Sequence, residues 1–73
     1  MGKLTEDQAK WLRRIVAGED AGRGPLNTTF LSQNTWRVLS ELRFLGMVHG
    51  VIMLGSTPAG RQALSEHQGG ADE

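Results

Sequence analysis

The sequence of 73 residues has no cysteine and no tyrosine, and only two prolines, two tryptophans and two phenylalanines. Without cysteine there is no disulfide framework, no thiolate-ligated zinc and no thiol nucleophile. No apolar run approaches the roughly 20 residues a bilayer-spanning helix needs. The opening Met1-Gly2-Lys3-Leu4-Thr5-Glu6-Asp7 lacks the apolar stretch of a secretory signal, and Glu6 stands where a myristoylation motif wants Ser or Thr. The expected address is therefore the cytoplasm. Charge of one sign is missing too: eight Lys and Arg face eight Asp and Glu, a formal net charge of +0, whereas proteins that live on nucleic acid usually carry a basic excess. The length leaves room for one core only.

What is present is ordinary for a folded soluble domain, at 38% hydrophobic and 22% charged residues. The charge is unevenly spread. Glu66, Asp72 and Glu73 fall in the last eight residues with no base among them, so residues 1–65 hold eight bases against five acids, a net +3. That bias is compatible with phosphate contacts.

The first predicted element is a helix beginning near Thr5. Thr5-Glu6-Asp7-Gln8 fits a capping box, with Leu4 placed as a staple and two acids in the first turn. Leu4, Trp11, Leu12, Ile15 and Val16 recur on one face, Lys10, Arg13 and Arg14 lie opposite, and Gly18 is the expected stop. Gly18 to Pro25, with Gly22 and Gly24, is a loop. From Leu26 to Leu45 the pattern is helical, but Ser32-Gln33-Asn34-Thr35 favours caps over helix interior. The segment therefore splits into a short turn or helix holding Leu26, Phe30 and Leu31, and a longer helix from Ser32 to Leu45 ended by Gly46. Thr35, Val38, Leu39, Leu42 and Leu45 share one face of the longer helix; Gln33, Arg37, Ser40, Glu41 and Phe44 share the other. Met47 to Leu54 is apolar and broken by a glycine, the pattern of two short strands about a turn at His49-Gly50. Thr57 and Pro58 then mark the start of a last helix that carries Ala59, Ala63 and Leu64 inward. Residues 1–65 form the expected domain, and 66–73 an expected disordered tail.

Two stretches resemble a known superfamily. Thr35-Trp36-Arg37-Val38-Leu39-Ser40-Glu41-Leu42-Arg43-Phe44-Leu45-Gly46-Met47-Val48 is similar to the recognition helix of winged helix-turn-helix domains and its exit into the wing. Leu54-Gly55-Ser56-Thr57-Pro58-Ala59-Gly60-Arg61-Gln62-Ala63-Leu64 resembles the entry to the helix after the wing in many bacterial regulators. The resemblance covers roughly residues 26–64. It implies a mainly α fold with a small β-hairpin: three to four helices and a short two-strand wing. It also implies a small bacterial or phage-type regulator of transcription, with the Ser32–Leu45 helix entering the major groove of double-stranded DNA; the thin core of so short a chain adds the expectation of a homodimer, which a palindromic site would match.

The candidate site residues follow from chemistry. Gln33, Asn34, Arg37 and Ser40 supply donors and acceptors for base edges; Arg43 and Arg61 suit phosphates. Trp11, Trp36 and Phe44 are candidates for a protein interface, since a small domain with a thin core gains from further burial. The expected wing holds no Lys or Arg, which favours a second expectation. In it the same scaffold is a protein–protein interaction module, a phage or mobile-element inhibitor or adaptor, using Trp36, Phe44 and the apolar wing. No enzyme is expected. His49 and His67 are the only histidines, no acid joins two of them at ligand spacing, and Glu19-Asp20 sits in a glycine-rich loop as a solvated pair. No metal and no cofactor are expected.

Overall fold

The computed structural model describes residues 4–72. Its order is α1 (Glu6–Asp20), β1 (Leu26–Asn27), α2 (Gln33–Phe44), β2 (Val48–His49), β3 (Met53–Ser56) and α3 (Pro58–Asp72). The strands form one antiparallel sheet in the order β1-β3-β2, giving three helices beside three strands.

Helix α1 starts as its capping box dictates. The Gln8 N–H donates to Thr5 Oγ1 and the Thr5 N–H donates to Gln8 Oε1, both at 3.1 Å, so two free donors are satisfied reciprocally. The helix runs past Gly18 to Asp20: a glycine inside a helix costs only about 1 kcal/mol against alanine, and the residues gained, Glu19 and Asp20, are held by Ser56 and Arg61. Helix α2 is capped by Ser32, whose Oγ accepts from the Thr35 N–H at 3.2 Å. It ends at Leu45 and Gly46, and Gly46 takes φ 79°, the left-handed position that closes many helices. Thr57 caps α3 by accepting from the Gly60 N–H at 3.0 Å, with Pro58 in first place.

Several boundaries differ from the sequence expectation. The short helix expected over Leu26, Phe30 and Leu31 is absent; Leu26–Asn27 is a third strand instead, paired with Leu54 and Met53. This corrects the two-strand wing to a three-stranded sheet. Buried Thr28 extends the pairing: its N–H and its hydroxyl both donate to the Ile52 carbonyl, at 3.0 and 2.7 Å. With that carbonyl and the ladder claiming the backbone, residues 26–28 stay extended. The ribbon β2–β3 also turns later than expected, across Gly50–Ile52. Ala59 is exposed while Leu64 is buried. Finally, α3 continues to Asp72, past the expected boundary at residue 65; Glu73, the end of the expected disordered tail, lies outside the described residues.

The core sits between the helices and the sheet. Leu4, Ala9, Leu12 and Ile15 meet Leu39 and Leu42 of α2, Val48 and Leu54 of the sheet, and Leu64 of α3. Each fully buried Leu or Ile contributes roughly 1.5–3 kcal/mol. This one core fixes the outward face of α2. With Leu39 and Leu42 sealed, the residues on the far side of the same helix must face solvent.

Candidate nucleic-acid interface and the ion-pair cluster

Helix α2 is 12 residues long, or about 18 Å at 1.5 Å per residue. Gln33, Arg37, Ser40 and Phe44 fall at helical spacing on one stripe opposite Leu39 and Leu42, with Asn34 and Arg43 at its two margins. All six are exposed. Among the described residues, neither Arg37 nor Arg43 makes an ion pair. The stripe ends in Phe44, which is 91% exposed. Gln8, Arg37, Ser40, Glu41, Phe44 and Leu45 line a shallow groove of about 390 Å³ between α1 and α2. Its rim is tied by Gln8 Nε2 donating to Glu41 Oε1 at 3.1 Å.

Arg61 is placed elsewhere. It lies on α3 and donates to Glu19 Oε1 at 3.1 Å and to Asp20 Oδ1 at 3.2 Å, while its Nε donates to Ser56 Oγ at 3.1 Å. The structure thus does not bring Arg61 together with the α2 stripe, and its guanidinium is already held by two carboxylates. Trp11 is half-buried against the edge of the core, with the Arg14 guanidinium 5.3 Å from the centre of its ring. Trp36 is half-buried on α2. Only Phe44 of the three expected interface aromatics stands out into solvent.

Two features escaped the sequence. The first is Glu19, expected to be solvated. Its carboxylate accepts from the Ser56 N–H at 3.0 Å, from the Ser56 hydroxyl and from Arg61. Strand β1 begins at Leu26 and is too short to reach Ser56, so the carboxylate supplies the acceptor that a longer β1 would have offered. Burial alone pushes the Glu19 carboxyl up. The hydrogen bonds from Ser56 and the Arg61 charge outweigh it and hold the group below its ordinary value of 4.5. No local pattern marks this, because the partners lie 37 and 42 positions away in the chain.

The second is the apolar tip of the ribbon. Val51 is 66% exposed, Ile52 56% and Met53 46%, and Phe30 is 96% exposed. Thr28 is clamped to Ile52, and two residues span at most about 7 Å, so Phe30 emerges at the same end of the molecule as the ribbon tip. The alternation of Met53 (out) with Leu54 (in) is the sequence signal that could have placed part of this patch.

Among the described residues no three His, Asp or Glu side chains converge in a way that could hold a metal ion, and no helix is long and apolar enough to cross a membrane. In comparisons with known proteins, no family model matches the sequence, and no curated protein and no solved structure matches it.

Proposed function

We propose that this protein is a small DNA-binding regulator of the winged-helix kind, with α2 as the element that enters the major groove. The order α1-β1-α2-β2-β3-α3, with β1 and β2 flanking β3, supports that scaffold. The observation that carries the proposal is the outer stripe of α2. Gln33, Asn34, Arg37 and Ser40 are exposed together at the start and middle of a rigid helix, where hydrogen-bonding groups can meet base edges. Arg43 at the margin suits a phosphate. The protein works as a homodimer in the cytoplasm, occupying a palindromic site and controlling access to a promoter. Two copies meet through the Phe44 and Leu45 end of α2. Arg61, bound to Glu19 and Asp20, has a structural part and leaves the DNA contacts to α2.

The test is titration of random duplex DNA at low and at higher salt. Each phosphate neutralised by Arg or Lys steepens the fall of log affinity with log salt by about 0.9. Binding that weakens steeply with salt is the expected result, and absence of binding at low salt overturns the proposal. Arg37→Ala is expected to weaken DNA binding by about 1–3 kcal/mol while the fold is kept.

One observation favours a second function. The ribbon tip exposes Val51, Ile52 and Met53 with Phe30 beside them, and carries no base. Exposed apolar side chains gathered at one end of a molecule mark protein partners. In that case the scaffold is an interaction module, an inhibitor or adaptor. Its hallmark is an affinity for a protein that falls on Phe30→Ser or Ile52→Ser and hardly responds to salt.

A further inference from the structure

A cleft of about 300 Å³ lies between the second half of α1 and strand β1, away from the α2 stripe. Its lining holds two bases, Arg14 and Arg23, and no carboxylate; half-buried Leu26 supplies apolar surface over the buried Ile15, and Asn27 borders it. The nearby acids Glu19 and Asp20 are turned onto Arg61. Among the described residues, Arg14 and Arg23 form no ion pair. Arg14 lies with its guanidinium 5.3 Å from the centre of the Trp11 ring. A cation–π contact of that kind restrains the group without using any of its N–H donors, which remain for an anion.

The same cleft runs along an open sheet edge. Strand β1 is outermost in the order β1-β3-β2. Leu26 is paired with Leu54, and the Thr28 N–H donates to the Ile52 carbonyl, so both positions direct their backbone groups at β3. By the alternation of an antiparallel ladder, the N–H and C=O of Asn27 point the other way, outward. Pro25, which donates to no ladder, sits where edge strands tolerate proline.

We propose that this cleft binds an extended acidic peptide, which adds as a fourth strand on the outer edge of β1. Its backbone pairs with Asn27, its carboxylates meet Arg14 and Arg23, and an alternate apolar side chain rests on half-buried Leu26. Charge selects the acidic partner. The open backbone edge selects a polypeptide over a nucleic acid, since a phosphodiester chain cannot continue the ladder. The two-residue length of β1 leaves the bound strand dependent on the arginines as well as on its backbone.

The experiment titrates the full chain against a short fluorescent peptide alternating valine and glutamate. Companion titrations use its valine–lysine counterpart, a version N-methylated along its backbone, and duplex DNA. The expected result is saturable binding of the glutamate peptide alone among the peptides, with shifts of the Asn27 amide signal in NMR spectra. The Arg14→Ala/Arg23→Ala double variant, both positions being exposed, is expected to keep its circular dichroism spectrum and to bind about tenfold more weakly or worse. Equal binding of the lysine peptide, undiminished binding of the N-methylated peptide, or undiminished binding by the double variant overturns the proposal. So does a double variant that loses affinity for duplex DNA yet keeps the glutamate peptide, which makes the cleft a phosphate site.

Discussion

Glu19 is the side chain on which three elements converge: it belongs to α1, accepts from Ser56 of β3 and is paired with Arg61 of α3. Its carboxyl ionises more readily in the folded chain than in the unfolded one. Its contribution to stability is therefore complete above its ordinary value of 4.5 and is lost as the pH falls through the lowered folded value. Glu19→Gln is expected to cost on the order of 1–3 kcal/mol at neutral pH, the usual range for hydrogen bonds to a charged group. It is also expected to flatten the acid limb of the stability curve below about pH 5. Urea unfolding of both proteins at pH 7 and pH 3.5 checks this, with the gap between them narrower at the lower pH. Gly60 is the opposite kind of residue, one whose importance is the atom it lacks. A Cβ there would strike the Met47 carbonyl across the α2–β2 turn. In an open helix, glycine to alanine stabilises by roughly 0.5–1 kcal/mol; here Gly60→Ala is expected to lower the melting temperature. A rise in melting temperature would show that α3 is free to move off Met47. The glycine is plain in the sequence, but the steric need for it is not, because Met47 lies 13 positions earlier and local spacing says nothing of it.

At the scale of elements, legibility follows the range of the forces. Helices α1, α2 and the start of α3 rest on contacts three or four residues apart, and their caps Thr5, Ser32 and Thr57 are readable in the sequence and present in the structure. The α2 stripe followed from the same period. Strand β1 was not readable: two residues cannot display an alternation, and Leu26–Asn27 is extended because Leu54 and Met53 lie alongside. The same blindness affected Phe30, which belonged to an expected helix and instead projects from the turn after Thr28. The two faces of this region make a direct contrast. Leu42 is fully buried and Phe30 is 96% exposed, so Leu42→Ala is expected to cost about 2–5 kcal/mol. Phe30→Ser, in contrast, should stay within about 0.5 kcal/mol of the parent. Denaturant midpoints measured at constant slope decide between this and a Phe30 that packs in solution. A large loss on Phe30→Ser would place it in a contact between copies or within the core.

The molecule as a whole is short of core for its length. Among the described residues nine hydrophobic side chains are buried, and a domain near 60 residues buries only about 60% of the surface its unfolded chain exposes. Among the described residues, large apolar side chains are left over at the Phe44–Leu45 end of α2 and at the ribbon tip with Phe30. The proposed homodimer would cover the first and add the burial that the monomer lacks. A folded state held together by association gains stability by mass action, so its melting temperature depends on concentration. For a domain of this size 1 kcal/mol moves the midpoint by about 4–8 °C. The melting temperature is therefore expected to rise by about 5 °C or more as the protein concentration is raised a hundredfold. Phe44→Ser is expected to abolish that dependence while leaving the dilute melting temperature where it was, because a side chain exposed in the monomer contributes little to the monomer's own fold. A parent protein whose melting temperature is the same at both concentrations would remove the dimer from the proposed function. The α2 stripe would then have to find its DNA as a single copy, on a half-site without a symmetric mate.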